Sequence, residues 1–126
     1  MRRPASLVEV AAQAESLKEF GEAVVEFLDQ FYIEKDGSML AQEPPSLRTR
    51  LNDHGVADAY LAAVAVHLSR SIGNAPPPWT WEPGRFLHHP WFASPGASLR
   101  ATLLLESPAA FRERNLFVSR NALERA

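Results

Sequence analysis

The longest apolar run in the chain spans residues 56–72, and it predicts the element around which the rest is organised. Within it, residues 60–68 are apolar apart from His67, so a helix here carries apolar side chains on nearly every side. A helix without a polar face is normally buried. The run is too short, and too interrupted by Asp58, His67 and Arg70, to cross a bilayer. We therefore expect a buried central helix.

A second pattern, over residues 17–34, is typical of an amphipathic helix. Its apolar residues recur at three- and four-residue spacing, which places them on one stripe. They are Leu17, Phe20, Val24, Phe27, Leu28 and Phe31. Acidic side chains occupy the opposite side, and Glu19, Glu22, Glu26 and Asp29 among them share one face. We call these four residues the acidic face.

Shorter helices are predicted by capping signals on either side of these two. Ser6 with Glu9, and Ser16 with Glu19, match the capping box, in which each residue satisfies a free backbone donor of the other. Residues 38–42 allow one more turn, and residues 46–55 read either as a short helix or as a turn. Gly73 and Asn74 suit the end of the central helix. Ser98 is a further expected helix cap, and Ser107 followed by Pro108 predicts the start of another helix.

An aromatic segment interrupted by prolines follows the central helix. Residues 79–92, which we call the strap, hold three tryptophans and two phenylalanines. The prolines exclude a long regular element, so we expect an irregular segment with one helical turn near residues 84–88. Two or more of its tryptophans should belong to the core. Residues 116–118 should be short and extended.

These patterns together predict an all-α fold. No sustained alternation of strand type occurs. We expect one domain over residues 1–126, a compact orthogonal bundle of five to seven mostly short helices around the helix at about 56–72, with the irregular strap. Residues 1–41 form its acidic helical segment.

Composition and charge narrow the functional classes. The chain has no cysteine, so disulfides, thiol nucleophiles and Cys-based zinc sites are excluded. We expect a cytoplasmic protein without a signal peptide, cofactor or metal. Residues 7–43 carry nine acids and two lysines, whereas residues 85–126 carry six arginines and three glutamates. Either the two ends neutralise each other, or the acidic face docks a basic partner.

One pair of residues is a candidate for catalytic chemistry. Arg48 and His54, with five residues between them, are similar to the signature of HEPN-type ribonucleases, which are also helical. His88 and His89 are adjacent and poorly placed to chelate one metal. No phosphate loop, nucleophile elbow or zinc-protease motif is present. We therefore expect the protein to have no enzymatic activity, and a small HEPN-type ribonuclease is the alternative.

Six segments of the C-terminal part carry a resemblance to a known domain. They are Trp81–Leu87, His89–Phe92, Ser98–Ala101, Glu106–Arg112, Arg114–Ser119 and Asn121–Leu123. Together they resemble an uncharacterised bacterial domain found alone or behind a helix-turn-helix in antitoxin-like proteins. Such proteins often accompany a nucleotidyltransferase-like protein of toxin–antitoxin type. The resemblance covers residues 42–126.

The resemblance implies a protein-binding module rather than an enzyme, because no catalytic residues of that domain can be transferred to this chain. The residues before it leave no room for a helix-turn-helix, so we expect no direct DNA binding. Its implied partner is a nucleotidyltransferase-like toxin, and a scaffolding role is a further alternative. Besides the acidic face, five residues are candidates for interface or structural polar contacts, namely Arg85, Phe86, Arg112, Arg114 and Asn115.

Overall fold

The computed structural model describes residues 3–94 and 96–125 and shows a mostly helical protein, which confirms the all-α prediction. Within the described residues there are seven α-helices, two 3-10 turns and a sheet of two short strands. The helices are α1 Leu7–Gln13, α2 Leu17–Glu34, α3 Ser38–Ala41, α4 Arg48–Leu51, α5 Val56–Ser71, α6 Ala97–Glu106 and α7 Ala109–Arg112. The 3-10 turns are Pro78–Trp81 and Pro83–Arg85, and the strands are β1 Trp91–Phe92 and β2 Leu116–Phe117.

Helix α5 is the buried centre that its sequence predicts. Twelve of its 16 residues are buried, and Val64 is fully inaccessible to solvent. It contacts α4, α7 and both 3-10 turns. It ends in a Schellman motif: Gly73, with φ of 75°, donates its N–H to Arg70 O, and Asn74 donates its N–H to Ser69 O. No helix within the described residues is long and apolar enough to span a membrane.

The N-terminal helices are held by the predicted caps and by one long-range arginine. Ser6 and Ser16 accept the N–H groups of Glu9 and Glu19, which is one half of each predicted capping box. Helix α2 packs against α1 and buries the predicted stripe except Leu17, which is 44% exposed. Arg50 donates from Nη1 to Ala11 O and Ala14 O, which joins α4 to the end of α1. Residues 46–55 thus contain both the short helix and the turn.

The strap and the C-terminal segment depart from prediction in two details. The strap forms two 3-10 turns and strand β1, which pairs in parallel with β2 and places Trp91 opposite Leu116. Strands of two residues are too short to show the alternation that sequence patterns detect. The Ser107 hydroxyl does not cap α7; it donates to Leu116 O and accepts from Val118 N. Pro108 instead occupies the cap position.

Candidate functional site

A large concave surface lies between the turn that precedes α5 and the strap. It encloses about 910 Å³. We call it the cleft, and its walls are Leu17, Arg48, Asp53, His54, Val56, Pro83, Gly84, Phe86, Leu87, His88, His89, Pro90 and Trp91. Most of these side chains are apolar or aromatic, and the polar ones are mainly cationic or imidazole groups. A cleft with few polar groups among apolar walls is the usual form of a ligand site.

One wall of the cleft is a tight turn with an unusual backbone. Asn52, His54 and Gly55 have φ values of 51°, 60° and 90°. Asp53 fixes this turn because its carboxylate accepts the N–H groups of Gly55 at 3.0 Å and Ala57 at 2.7 Å, which also satisfies free donors at the start of α5. His54 is thereby held exposed at the cleft in a left-handed conformation, which asparagine, aspartate and histidine tolerate best.

Arg48 lies across this turn. Its Nη1 would be only 3.0 Å from a Cβ at position 55, so the guanidinium occupies space that any residue other than glycine would fill. Within the described part of the chain, the Arg48 guanidinium makes no ion pair or hydrogen bond. Arg48 and His54 therefore line one cleft, as the ribonuclease alternative requires.

The opposite wall is the strap, and Asn115 holds it in place. Asn115 has φ of 62°, donates from Nδ2 to Leu87 O, and accepts the N–H of Trp91 through its backbone oxygen. These bonds fix the chain on both sides of His88 and His89, which are exposed and line the cleft. Asn115 is thus a structural residue of the cleft wall.

Arg85 anchors the strap to the central helix α5. It is 4% exposed and donates to Pro44 O at 2.7 Å, to Asp58 O at 3.3 Å and to Glu43 Oε2 at 3.2 Å. Its guanidinium also lies 4.7 Å from the centre of the Trp79 ring. The buried Asp58 carboxylate, 3.9 Å away, accepts from Ser46 and Leu47. Arg85 makes structural contacts, and its burial argues against a place in a partner interface.

Arg114 has the same structural role on the other side of the strap. It is fully buried and donates to Thr80 O at 2.7 Å and Ala110 O at 3.2 Å. The guanidinium lies 4.5 Å from the Phe86 ring centre and 5.1 Å from that of Trp81. Burial lowers the pKa of Arg114, although the nearby Glu113 carboxylate opposes this effect. Arg114 is also inaccessible to a partner.

The remaining sequence candidates lie apart from one another. Phe86 is half-buried at the cleft, stacked with Trp81, while Arg112 is exposed on α7. Trp79 is buried and Trp91 packs against the core, whereas Trp81 is 50% exposed. The expectation that two of the three tryptophans are core residues is therefore confirmed.

The acidic face is exposed along most of its length and partly neutralised at its C-terminal end. Arg125 hydrogen-bonds to Asp29 at 2.8 Å and thereby lowers the pKa of that carboxyl. Arg3 lies 3.5 Å from Glu26. Glu22 makes no ion pair with the described residues. The C-terminal segment thus compensates one acid of the four through Arg125, and the three arginines 112, 114 and 120 pair with none of them.

An apolar surface that the sequence analysis missed lies on α6. Leu99, Leu104 and Leu105 are 52%, 48% and 84% exposed, whereas Leu103 is buried against the rest of the protein. The expected cap, Ser98, lies inside this helix, and Gly96 occupies the N-cap position instead. The signal was available in the sequence, because three consecutive leucines exceed what a single core-facing stripe needs.

Comparisons with known proteins identify no relative of this chain. No protein-family model matches it, no curated protein matches it, and no solved structure matches it. Among the described residues, no group of three or more histidine, aspartate or glutamate side chains is placed to hold a metal ion.

Proposed function

We propose that this chain is a protein-binding module of the antitoxin-like kind, whose partner is a nucleotidyltransferase-like protein. The partner's identity comes from the resemblance of residues 42–126. The proposal includes a cytoplasmic location and no direct binding to DNA.

The exposure of leucines on helix α6 is the observation that supports a protein-binding function. Helices with apolar residues on several sides are normally buried, yet three of the four leucines of α6 face solvent. Exposed apolar clusters on soluble proteins commonly mark interaction sites. The helix lies within the segment that carries the resemblance, which is why we assign the nucleotidyltransferase-like partner to this surface. Since successive residues of an α-helix are about 100° apart, the three leucines lie on different sides of α6. A groove on that partner that takes in the exposed side of the helix would bury Leu104 and Leu105.

The acidic face supports the proposal as a second contact. Glu22 is exposed without an ion pair among the described residues, and fixed like charges at helical spacing are mildly unfavourable. A basic rim on the partner would relieve this repulsion and speed association.

Co-purification with the partner tests the proposal. The chain and a nucleotidyltransferase-like protein encoded beside it should purify together in near-equal amounts. Leu105→Glu should weaken the complex about tenfold or more, because it places a charge in an apolar interface. Ala75→Glu is the matched control, since Ala75 is exposed in the segment after α5, outside both α6 and the acidic face. Repeated recovery of the chain alone, without such a neighbouring gene, would refute the partner assignment.

The second candidate function is a ribonuclease that uses Arg48 and His54. One specific observation favours it, namely that both residues line the cleft, with His88 and His89 beside them. An imidazole can transfer a proton to or from the reacting oxygens, and a guanidinium can bind the phosphate, so the pair matches two of the roles that RNA cleavage needs. Cleavage of RNA that His54→Ala abolishes would support this function. Cleavage that continues unchanged in the variant would exclude it.

A further inference from the structure

The cleft has the size and lining of a small-molecule site, independently of the α6 surface. Its volume of about 910 Å³ is near the upper end of the usual range for ligand pockets. Apolar side chains and aromatic rings form most of the wall. The polar groups are concentrated on one turn and on the strap opposite it.

Arg48 supplies a cation whose guanidinium donates to none of the described residues. The nearest acid on the turn, Asp53, is buried and accepts two backbone N–H groups, and it makes no ion pair among the described residues. Gly55 leaves the room into which the Arg48 guanidinium fits. A free guanidinium presents a planar set of donors that matches two oxygens of a phosphate group. An anionic group is the ligand that such a guanidinium fits best.

The histidines add further polar contacts around Arg48. His54 is exposed at the cleft by a left-handed backbone conformation, and such conformations cluster at functional sites. His88 and His89 are exposed on the strap opposite. Imidazole N–H groups can donate to the remaining phosphate oxygens.

Trp91 supplies an aromatic surface for a ring. It is half-buried, lines the cleft, and makes no ring–ring contact with the described residues. Phe86, the other ring in the wall, is already stacked with Trp81 and covered by Arg114. Nucleic-acid bases stack on such unoccupied aromatic rings without a strict sequence preference.

We propose that the cleft binds a phosphate ester that carries an aromatic base, with the phosphate at Arg48 and His54 and the base against Trp91. A free nucleotide and the end of a single-stranded nucleic acid share this chemistry. Binding does not require cleavage, so the proposal is separate from the ribonuclease candidate, and it does not depend on the protein partner.

Calorimetric titration and NMR of the intact chain test the proposal. Adenosine monophosphate should bind and shift the indole N–H resonance of Trp91. Adenosine alone and inorganic phosphate alone should each bind about tenfold or more weakly than the nucleotide. A four-nucleotide single-stranded RNA in the same assay distinguishes the sources: tighter binding of the RNA indicates a strand end, and tighter binding of the nucleotide indicates a free ligand.

Variants locate the site. Arg48→Gln should weaken nucleotide binding about tenfold or more, and Arg120→Gln, which removes an exposed arginine outside the cleft, should leave it unchanged. His54→Asn keeps a residue that tolerates the left-handed backbone and should weaken binding without loss of folding. Equal binding of adenosine and the nucleotide would overturn the phosphate assignment. No binding of nucleotide or RNA at millimolar concentration would overturn the proposal, whether or not a protein partner is found.

Discussion

Replacement of Arg114 tests how the buried arginines hold the strap that forms one wall of the cleft. Arg114→Met keeps an unbranched side chain of similar length but removes the two hydrogen bonds to Thr80 O and Ala110 O. Each hydrogen bond from a charged group contributes about 1.5–3 kcal/mol. The contacts with the Phe86 and Trp81 rings add about 0.5–2 kcal/mol.

An opposing effect reduces this loss. Burial of a guanidinium costs several kcal/mol of desolvation, and methionine avoids that cost. The lost contacts outweigh the saving because two buried carbonyl groups are left without their donors. We expect the free energy of unfolding to fall by about 2–3 kcal/mol. For a chain of this size, that lowers the midpoint of thermal unfolding by roughly 6–12 °C.

Arg114→Lys tests whether the positive charge of Arg114 or the planar arrangement of its donors stabilises the fold. Lysine retains the charge, but a single ammonium cannot reproduce the planar set of donors that reaches both carbonyls. We expect Arg114→Lys to be at least as destabilising as Arg114→Met. Urea unfolding followed by tryptophan fluorescence gives both values, and the slope with denaturant should stay unchanged. A loss below about 0.5 kcal/mol for methionine, or wild-type stability for lysine, would refute the reasoning.

Further predictions concern the central helix, the turn and the charged surface. Val64→Asp should abolish the folded state seen by circular dichroism, because an unpaired carboxylate would be buried; a folded variant would contradict the central position of α5. Gly55→Ala should lower the free energy of unfolding by about 1–2 kcal/mol in urea, since φ of 90° is strained for alanine and Arg48 must move; unchanged stability would contradict this. Burial, and secondarily Arg70, lowers the pKa of His67 below its ordinary value. The unfolded state therefore takes up the proton first, so stability should fall as pH drops below about 6.5. His67→Gln should make this fall smaller in urea titrations at pH 7 and pH 5, and an unchanged pH dependence would exclude His67 as its source. Glu22→Lys should leave the thermal midpoint nearly unchanged while slowing association with a basic partner; a large loss of stability would show that Glu22 is needed within the chain.

The two long helices were predictable because the spacing of apolar residues along each helix determines which side is buried. The stripe of α2 and the run of α5 each fix the buried face without reference to any distant residue. The extended conformation of residues 116–117 was also predicted, but its pairing with β1 was not, since that pairing joins segments more than 20 residues apart.

The roles of the candidate residues were harder to predict. Arg85 and Arg114 are buried because distant carbonyl groups and rings surround them, and arginines in a sequence are usually exposed. The Arg48–His54 spacing did indicate two residues of one cleft. The contribution of the strap to that cleft depends on two hydrogen bonds with Asn115, one donated and one accepted, that no local pattern predicts.

Hydrogen exchange of α6 tests the proposed protein-binding function most directly. Amide exchange would be measured in residues 97–106 for the chain alone and for its complex with the nucleotidyltransferase-like protein. We expect slower exchange throughout α6 in the complex, and no such change when Leu105→Glu replaces the wild-type chain. Exchange in α6 that is identical with and without a bound partner, while another surface becomes protected, would contradict the assignment of this helix as the binding surface.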